Sequence, residues 1–117
     1  MFQGKYKLRL NGRRLVIPKP FRDICGDYVI ISMFGDRLMC YSPKEWETLK
    51  RERRSWSAWR RFIARAFIYG IDLKGRILLM KSHSDRSGIE NDAVCIGYGD
   101  HFEILPNSSS SLMDSPR

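Results

Sequence analysis

The sequence predicts a small α+β fold, mainly β, built by duplication. Three observations predict it. Two stretches repeat one pattern, Leu10-Asn11-Gly12-Arg13-Arg14-Leu15-Val16-Ile17 and Ile71-Asp72-Leu73-Lys74-Gly75-Arg76-Ile77-Leu78-Leu79: a β-type run, a tight polar turn ending in arginine, and a second apolar run. Self-similarity at a fixed period marks a repeated structural unit. Apolar residues elsewhere often alternate with polar ones, the sign of half-buried strands. Two hairpin patterns close around Gly35-Asp36 and Gly99-Asp100.

The elements follow in order. In Lys5–Leu10, Tyr6, Leu8 and Leu10 point one way and Lys5, Lys7 and Arg9 the other, giving a strand with a cationic outer face. Asn11-Gly12 reads as the tight-turn dipeptide, since both residues tolerate positive φ. Leu15-Val16-Ile17 resumes as a strand that Pro18 ends. Pro18 to Ile24 reads as a short helix, with proline in its first turn. Tyr28–Ser32 and Arg37–Tyr41 form a hairpin. Ser42 is the N-cap of a helix from Pro43 to about Glu52, with Glu45 completing a capping box. Ser55 caps a second helix carrying Trp56, Trp59, Phe62 and Ile63, a stripe read as core packing ahead of a base-stacking platform. From Ala66 the pattern returns: Phe67, Tyr69 and Ile71 follow Tyr6, Leu8 and Leu10 at an offset of 61. A hairpin of 93–97 and 101–104 closes the second copy, and the serine-rich segment 106–117 is expected to be disordered.

The 117 residues carry a net charge of +8, unevenly distributed. Residues 1–40 hold eight basic and three acidic residues, 41–65 the same, and 66–117 five against seven. That asymmetry points to an anionic partner, nucleic acid before membrane surface. No apolar run approaches the length of a membrane helix, and the amino terminus lacks a signal-peptide pattern, so a cytoplasmic location is expected. Cys25, Cys40 and Cys95 read as buried thiols, and two histidines on different elements argue against a metal site. Neither a catalytic constellation nor a cofactor motif is legible, so an enzyme and a small-molecule substrate are not expected.

The order strand, arginine turn, strand, short helix and hairpin, all occurring twice, resembles the MraZ family of bacterial transcriptional regulators. Met1-Phe2-Gln3-Gly4-Lys5-Tyr6 looks like that family's opening, Pro18-Lys19-Pro20-Phe21-Arg22-Asp23 like its proline-led helix, and Tyr41-Ser42-Pro43-Lys44-Glu45-Trp46 like its hairpin-to-helix junction. Arg60 to Ala64 resembles the end of the linking helix, Asp72 to Arg76 the Asp-x-x-x-Arg signature, and Gly99 to Ile104 the closing strand. Arg65 stands at a family glycine and Met80 at a family proline. The resemblance implies two tandem AbrB-like swapped-hairpin halves forming one pseudo-twofold β barrel with flanking helices. It divides the chain into a first half (1–46), a basic helical connection (47–65), a second half (66–105) and the tail (106–117). It also implies a nucleoid-associated, ring-shaped homo-oligomer that binds short direct repeats in double-stranded DNA upstream of the division and cell-wall gene cluster. A less specific nucleoid-associated or antitoxin-like binder, and a self-assembling structural protein, are the alternatives.

The turns carry the expected chemistry. An acid four residues before an arginine accepts backbone N–H bonds and orients the guanidinium by a charge-assisted bond. At Asp72, Gly75 and Arg76 this permits either a DNA contact, with Lys74 beside it, or an internal structural ion pair. In the first copy Asn11 replaces the acid, the turn is one residue shorter and Arg13 replaces the glycine. Arg13 and Arg14 are therefore expected to be freer, and to make the main phosphate contacts together with Lys5, Lys7 and Arg9.

Overall fold

The structure, a computed structural model, describes residues 1–53 and 57–107. Their order is β1 (Lys5–Arg9), β2 (Arg14–Val16), α1 (Lys19–Cys25), β3 (Tyr28–Phe34), β4 (Arg37–Tyr41), α2 (Pro43–Arg53), α3 (Ser57–Ala64), β5 (Phe67–Gly70), β6 (Arg76–Leu78), α4 (Lys81–Ser87), β7 (Asp92–Gly97) and β8 (Phe102–Pro106). The fold is α+β and mainly β. No helix among the described residues is long and apolar enough to cross a membrane.

Six strands form one antiparallel sheet in the order β1-β7-β8-β4-β3-β5, and β2 with β6 forms a separate two-stranded ribbon. Exchanging β1–β4 with β5–β8 reverses the six-strand order onto itself. The centre of that exchange is the β4–β8 pairing at Met39↔Glu103, flanked by Leu38↔Ile104 and Cys40↔Phe102. Each half thus lends its first strand to the other: β1 pairs with β7, and β5 with β3. The sheet is not closed. Its edges are β1 and β5, with the ribbon packed over it, where sequence reading anticipates one barrel.

Alternation decides which face each strand buries. Leu8, Val29, Ile31, Met33, Leu38, Cys40, Cys95, Phe102 and Ile104 pack in one cluster with Leu15 and Ile17 of the first copy and Ile77 and Leu79 of the second. The ribbon and α1 cover this face. On the other face Ile30 and Tyr41 pack against Trp46 of α2 and Phe62 of α3, with Trp59 and Ile63 partly buried beside them. The aromatic stripe is therefore core; Ser55 and Trp56 lie outside the described residues. The N-cap reading at Ser42 matches its geometry, the Glu45 amide donating to Ser42 Oγ at 3.2 Å. All three cysteines are buried and unpaired, and burial pushes the Cys25 thiol up to about 12.

Three details differ from the sequence reading. Phe67, read as sharing the inward face with Tyr69 and Ile71, is 43 % exposed at the start of the edge strand β5. Pro106, placed in the tail by composition, is the last residue of β8 and pairs with Ala93; residues 108–117 lie outside the described residues. The helix of the second copy, α4, opens at Lys81 without a side-chain cap, so the sequence marks it only as the counterpart of α1.

Candidate nucleic-acid interface

The ribbon is where the two arginine turns meet. Its register sets Arg14 opposite Leu78, Leu15 opposite Ile77 and Val16 opposite Arg76. Leu15 and Ile77 point into the core at 1 % and 2 % exposure, so Arg14, Val16, Arg76 and Leu78 occupy the outer face. The two arginines sit diagonally across it, their Cα atoms about 8 Å apart by strand geometry. An apolar side chain lies directly across from each. The turns leave from opposite ends of the ribbon and are tied to the other copy: the Ile17 amide donates to the Gly75 carbonyl at 2.9 Å, and the Leu79 amide to the Arg13 carbonyl at 2.8 Å.

The second turn is held by one carboxylate. Asp72 Oδ1 accepts the amides of Lys74 at 2.9 Å and Arg76 at 2.8 Å, and Oδ2 accepts Arg76 Nε at 2.8 Å. The Arg76 amide, then its side chain, hold the Asp72 carboxyl below its ordinary value. Arg76 is bound through Nε alone, which leaves its terminal nitrogens without a partner among the described residues. Gly75 has φ 81°, and its Cα lies against the Arg22 guanidinium, where no Cβ fits. Arg22 Nε donates to the Ile17 carbonyl at 2.7 Å.

In the first turn Asn11 and Arg14 exchange backbone bonds at 2.9 and 3.1 Å, so the two central residues are Gly12 and Arg13. Gly12 has φ 65°, and no non-glycine residue described has positive φ. The positive-φ position thus falls on Gly12 alone, not on Asn11-Gly12; a two-residue loop with glycine first is the type II′ arrangement. Arg13 is not free. Its Nη1 donates to the Leu79 carbonyl at 2.9 Å, the same service that Arg22 performs for Ile17. Arg14 is exposed and has no side-chain hydrogen bond or ion pair among the described residues.

The remaining cations are not brought into this face. Tyr6 and Leu8 pack toward the cluster that carries the ribbon. Lys5, Lys7 and Arg9 therefore leave β1 on the face turned away from it. Arg9 stands 3.9 Å from Asp92, its cross-strand partner. Lys74 lies exposed in the second turn, beside a fully exposed Leu73. Sequence reasoning missed the roles of Arg22, Val16 and Leu78. Only Gly75 in the turn motif signals that something packs tightly against it.

Fold and site together define a duplicated sheet protein that displays a short basic ribbon at its surface. Among the described residues there is no grouping of three or more metal-ligating side chains. No family model matches the chain. It is 34 % identical over 118 residues to the transcriptional regulator MraZ of Nitratidesulfovibrio vulgaris, covering 89 % of this chain and 79 % of that protein. It is 32 % identical over 114 residues to the transcriptional regulator MraZ of Leuconostoc mesenteroides, covering 89 % and 80 %. The corresponding protein of Desulfosudis oleivorans is 33 % identical over 115 residues, with 89 % and 79 % covered. The chain belongs to the MraZ family, whose members are named for a regulatory, non-enzymatic role.

Proposed function

We propose that this protein is a DNA-binding transcriptional regulator that presents the β2–β6 ribbon to duplex DNA. The observation that carries this reading is the diagonal pair of outward arginines, Arg14 and Arg76, related by the exchange of the two copies. A two-stranded ribbon fits the major groove, and an arginine fork reads guanine O6 and N7 or a phosphate. Arg76, already oriented by Asp72, loses little freedom on binding; Arg14 adapts. Arg13 and Lys74 flank the ribbon ends. Lys5, Lys7 and Arg9 add a second cationic surface that raises the general attraction for DNA.

The interleaved strand order supports reading the fold as two tandem AbrB-like swapped-hairpin halves. A homo-oligomeric ring follows as part of the proposal, since several weak ribbons gain avidity only when repeats in the DNA match subunit spacing. Short direct repeats upstream of the division and cell-wall gene cluster are the proposed target, placing the protein at the nucleoid in the cytoplasm.

The test is a protection assay across the promoter of the chain's own gene, with titrations of Arg14→Ala and Arg76→Ala at several salt concentrations. A protected repeat, and a salt slope lower by about one for each arginine removed, are expected. Steep salt dependence without sequence preference would favour a nucleoid-type binder instead. Absence of binding would leave a self-assembling structural protein.

A further inference from the structure

Away from the ribbon, a cleft of about 380 Å³ opens between the end of α3 and the start of α4. Two arginines line it. Arg65 follows α3, is exposed, and has no side-chain hydrogen bond or ion pair among the described residues. Arg86 of α4 gives only a long 3.3 Å bond from Nε to the Gly35 carbonyl, leaving its terminal nitrogens uncommitted. No carboxylate lines the cleft, and Asp85, the acid next to Arg86, is paired with Lys81 at 3.1 Å. Two unpaired like charges facing one concave space concentrate positive potential there.

The rest of the wall is built rather than accidental. His83, 4 % exposed, bonds Tyr69 Oη through Nδ1 at 2.7 Å, and Tyr69 Oη accepts the Met80 amide at 3.1 Å. This relay ties Tyr69 of β5 to Met80 and His83 at the start of α4, along one side of the opening. Since the imidazole is committed to the frame, His83 is a positioning residue and not a free base. The Ser82 hydroxyl adds a donor beside the arginines, while Phe67 and Met80 supply an aromatic face and a thioether.

We propose that this cleft binds a small phosphate-bearing molecule with a flat apolar body, of the nucleotide class, its phosphate between Arg65 and Arg86 and its ring against Phe67 and Met80. The volume falls within the range of ordinary ligand pockets. Paired guanidinium forks suit a phosphate dianion better than a point charge does. The site is independent of DNA binding at the ribbon.

Calorimetric titration of the full chain with adenosine 5′-monophosphate, inorganic phosphate and adenosine tests this. Binding is expected in that order of strength, with adenosine alone undetectable. Arg65→Ala and Arg86→Ala should each weaken the monophosphate at least about tenfold with unchanged circular dichroism. Arg60→Ala, which removes the same charge from α3 outside the cleft, should bind like the parent. Phe67→Ala should narrow the gap between the monophosphate and inorganic phosphate. The proposal is overturned by no binding of either anion, by equal affinity for the two, or by monophosphate binding that survives loss of both arginines.

Discussion

Arg14 and Arg76 occupy equivalent places in two turns of different length, and the difference decides how each behaves. Asp72 spends three hydrogen bonds on a three-residue loop, two of them on backbone amides. Removing it by Asp72→Ala should speed amide exchange at Lys74 and Arg76 and leave Arg13 and Arg14 unchanged, a contrast that NMR resolves. Because its folded pKa is lowered, the Asp72 carboxylate supports the turn above its ordinary value of 3.8 and loses that contribution as pH falls. Gly75→Ala meets two obstacles, a positive φ and the Arg22 side chain. A loss of about 1–3 kcal/mol is expected in denaturant melts; an unchanged midpoint would show that Arg22 shifts without cost. The Asp72–Arg76 arrangement was legible in sequence because its chemistry is local. The tie from Arg13 to Leu79 was not, since its acceptor lies 66 residues away and only the register of β2 against β6 brings it near.

At the scale of elements, the amino-terminal segment is fastened by a close approach that the sequence does not announce. Phe2 is buried between Phe21 and Phe102, ring centroids 5.2 and 4.9 Å away, and exchanges backbone bonds with Gly99 at 2.8 and 2.7 Å. A Cβ on Gly97 would come within 2.6 Å of the Phe2 and Gln3 backbone. Gly97→Ala should therefore pry the segment off and approach the cost of Phe2→Ala, about 3–5 kcal/mol for a buried phenylalanine. Full stability in Gly97→Ala would mean that the segment docks loosely. Hairpins and helices were readable from alternation, proline and the Ser42 cap. That β5 lies at an edge was not, because Phe67 and Ile68 look apolar enough for an interior strand, and only its pairing with β3 alone leaves them exposed.

For the molecule as a whole, two histidines bias stability in opposite directions. Burial holds His83 below the ordinary value of 6.5, so its contribution is complete above that pH and fades as pH falls beneath it. His101 is different. Burial opposes its charge, yet hydrogen bonds to Glu103 at 3.0 Å and Asp100 at 2.8 Å hold its pKa above 6.5. It favours the fold at lower pH and loses that contribution as pH rises through its folded value. Arg37 completes the group, donating to Glu103 at 2.7 Å from the equivalent position in the other hairpin. In the parent the two trends oppose each other. His101→Gln should expose the His83 trend, with stability falling from about pH 7 to 5 by at most about 1.4 kcal/mol per unit; parallel pH profiles would refute the assignment.

The interleaving of strands also constrains how the chain is made. β1 and β2 are synthesised well before their partners, Asp92–Gly97 and Arg76–Leu78. A ribosome that has passed the first hairpin has produced Leu8, Leu10, Leu15 and Ile17 before their strand partners and before the second copy's share of the core, Ile77, Leu79, Cys95, Phe102 and Ile104. Long-range pairing of this kind is slow and leaves apolar segments open to association. Native assembly must therefore wait until Asp92–Gly97 has cleared the exit tunnel, so translation truncated before Asp92 yields a sticky nascent product rather than half of a working protein.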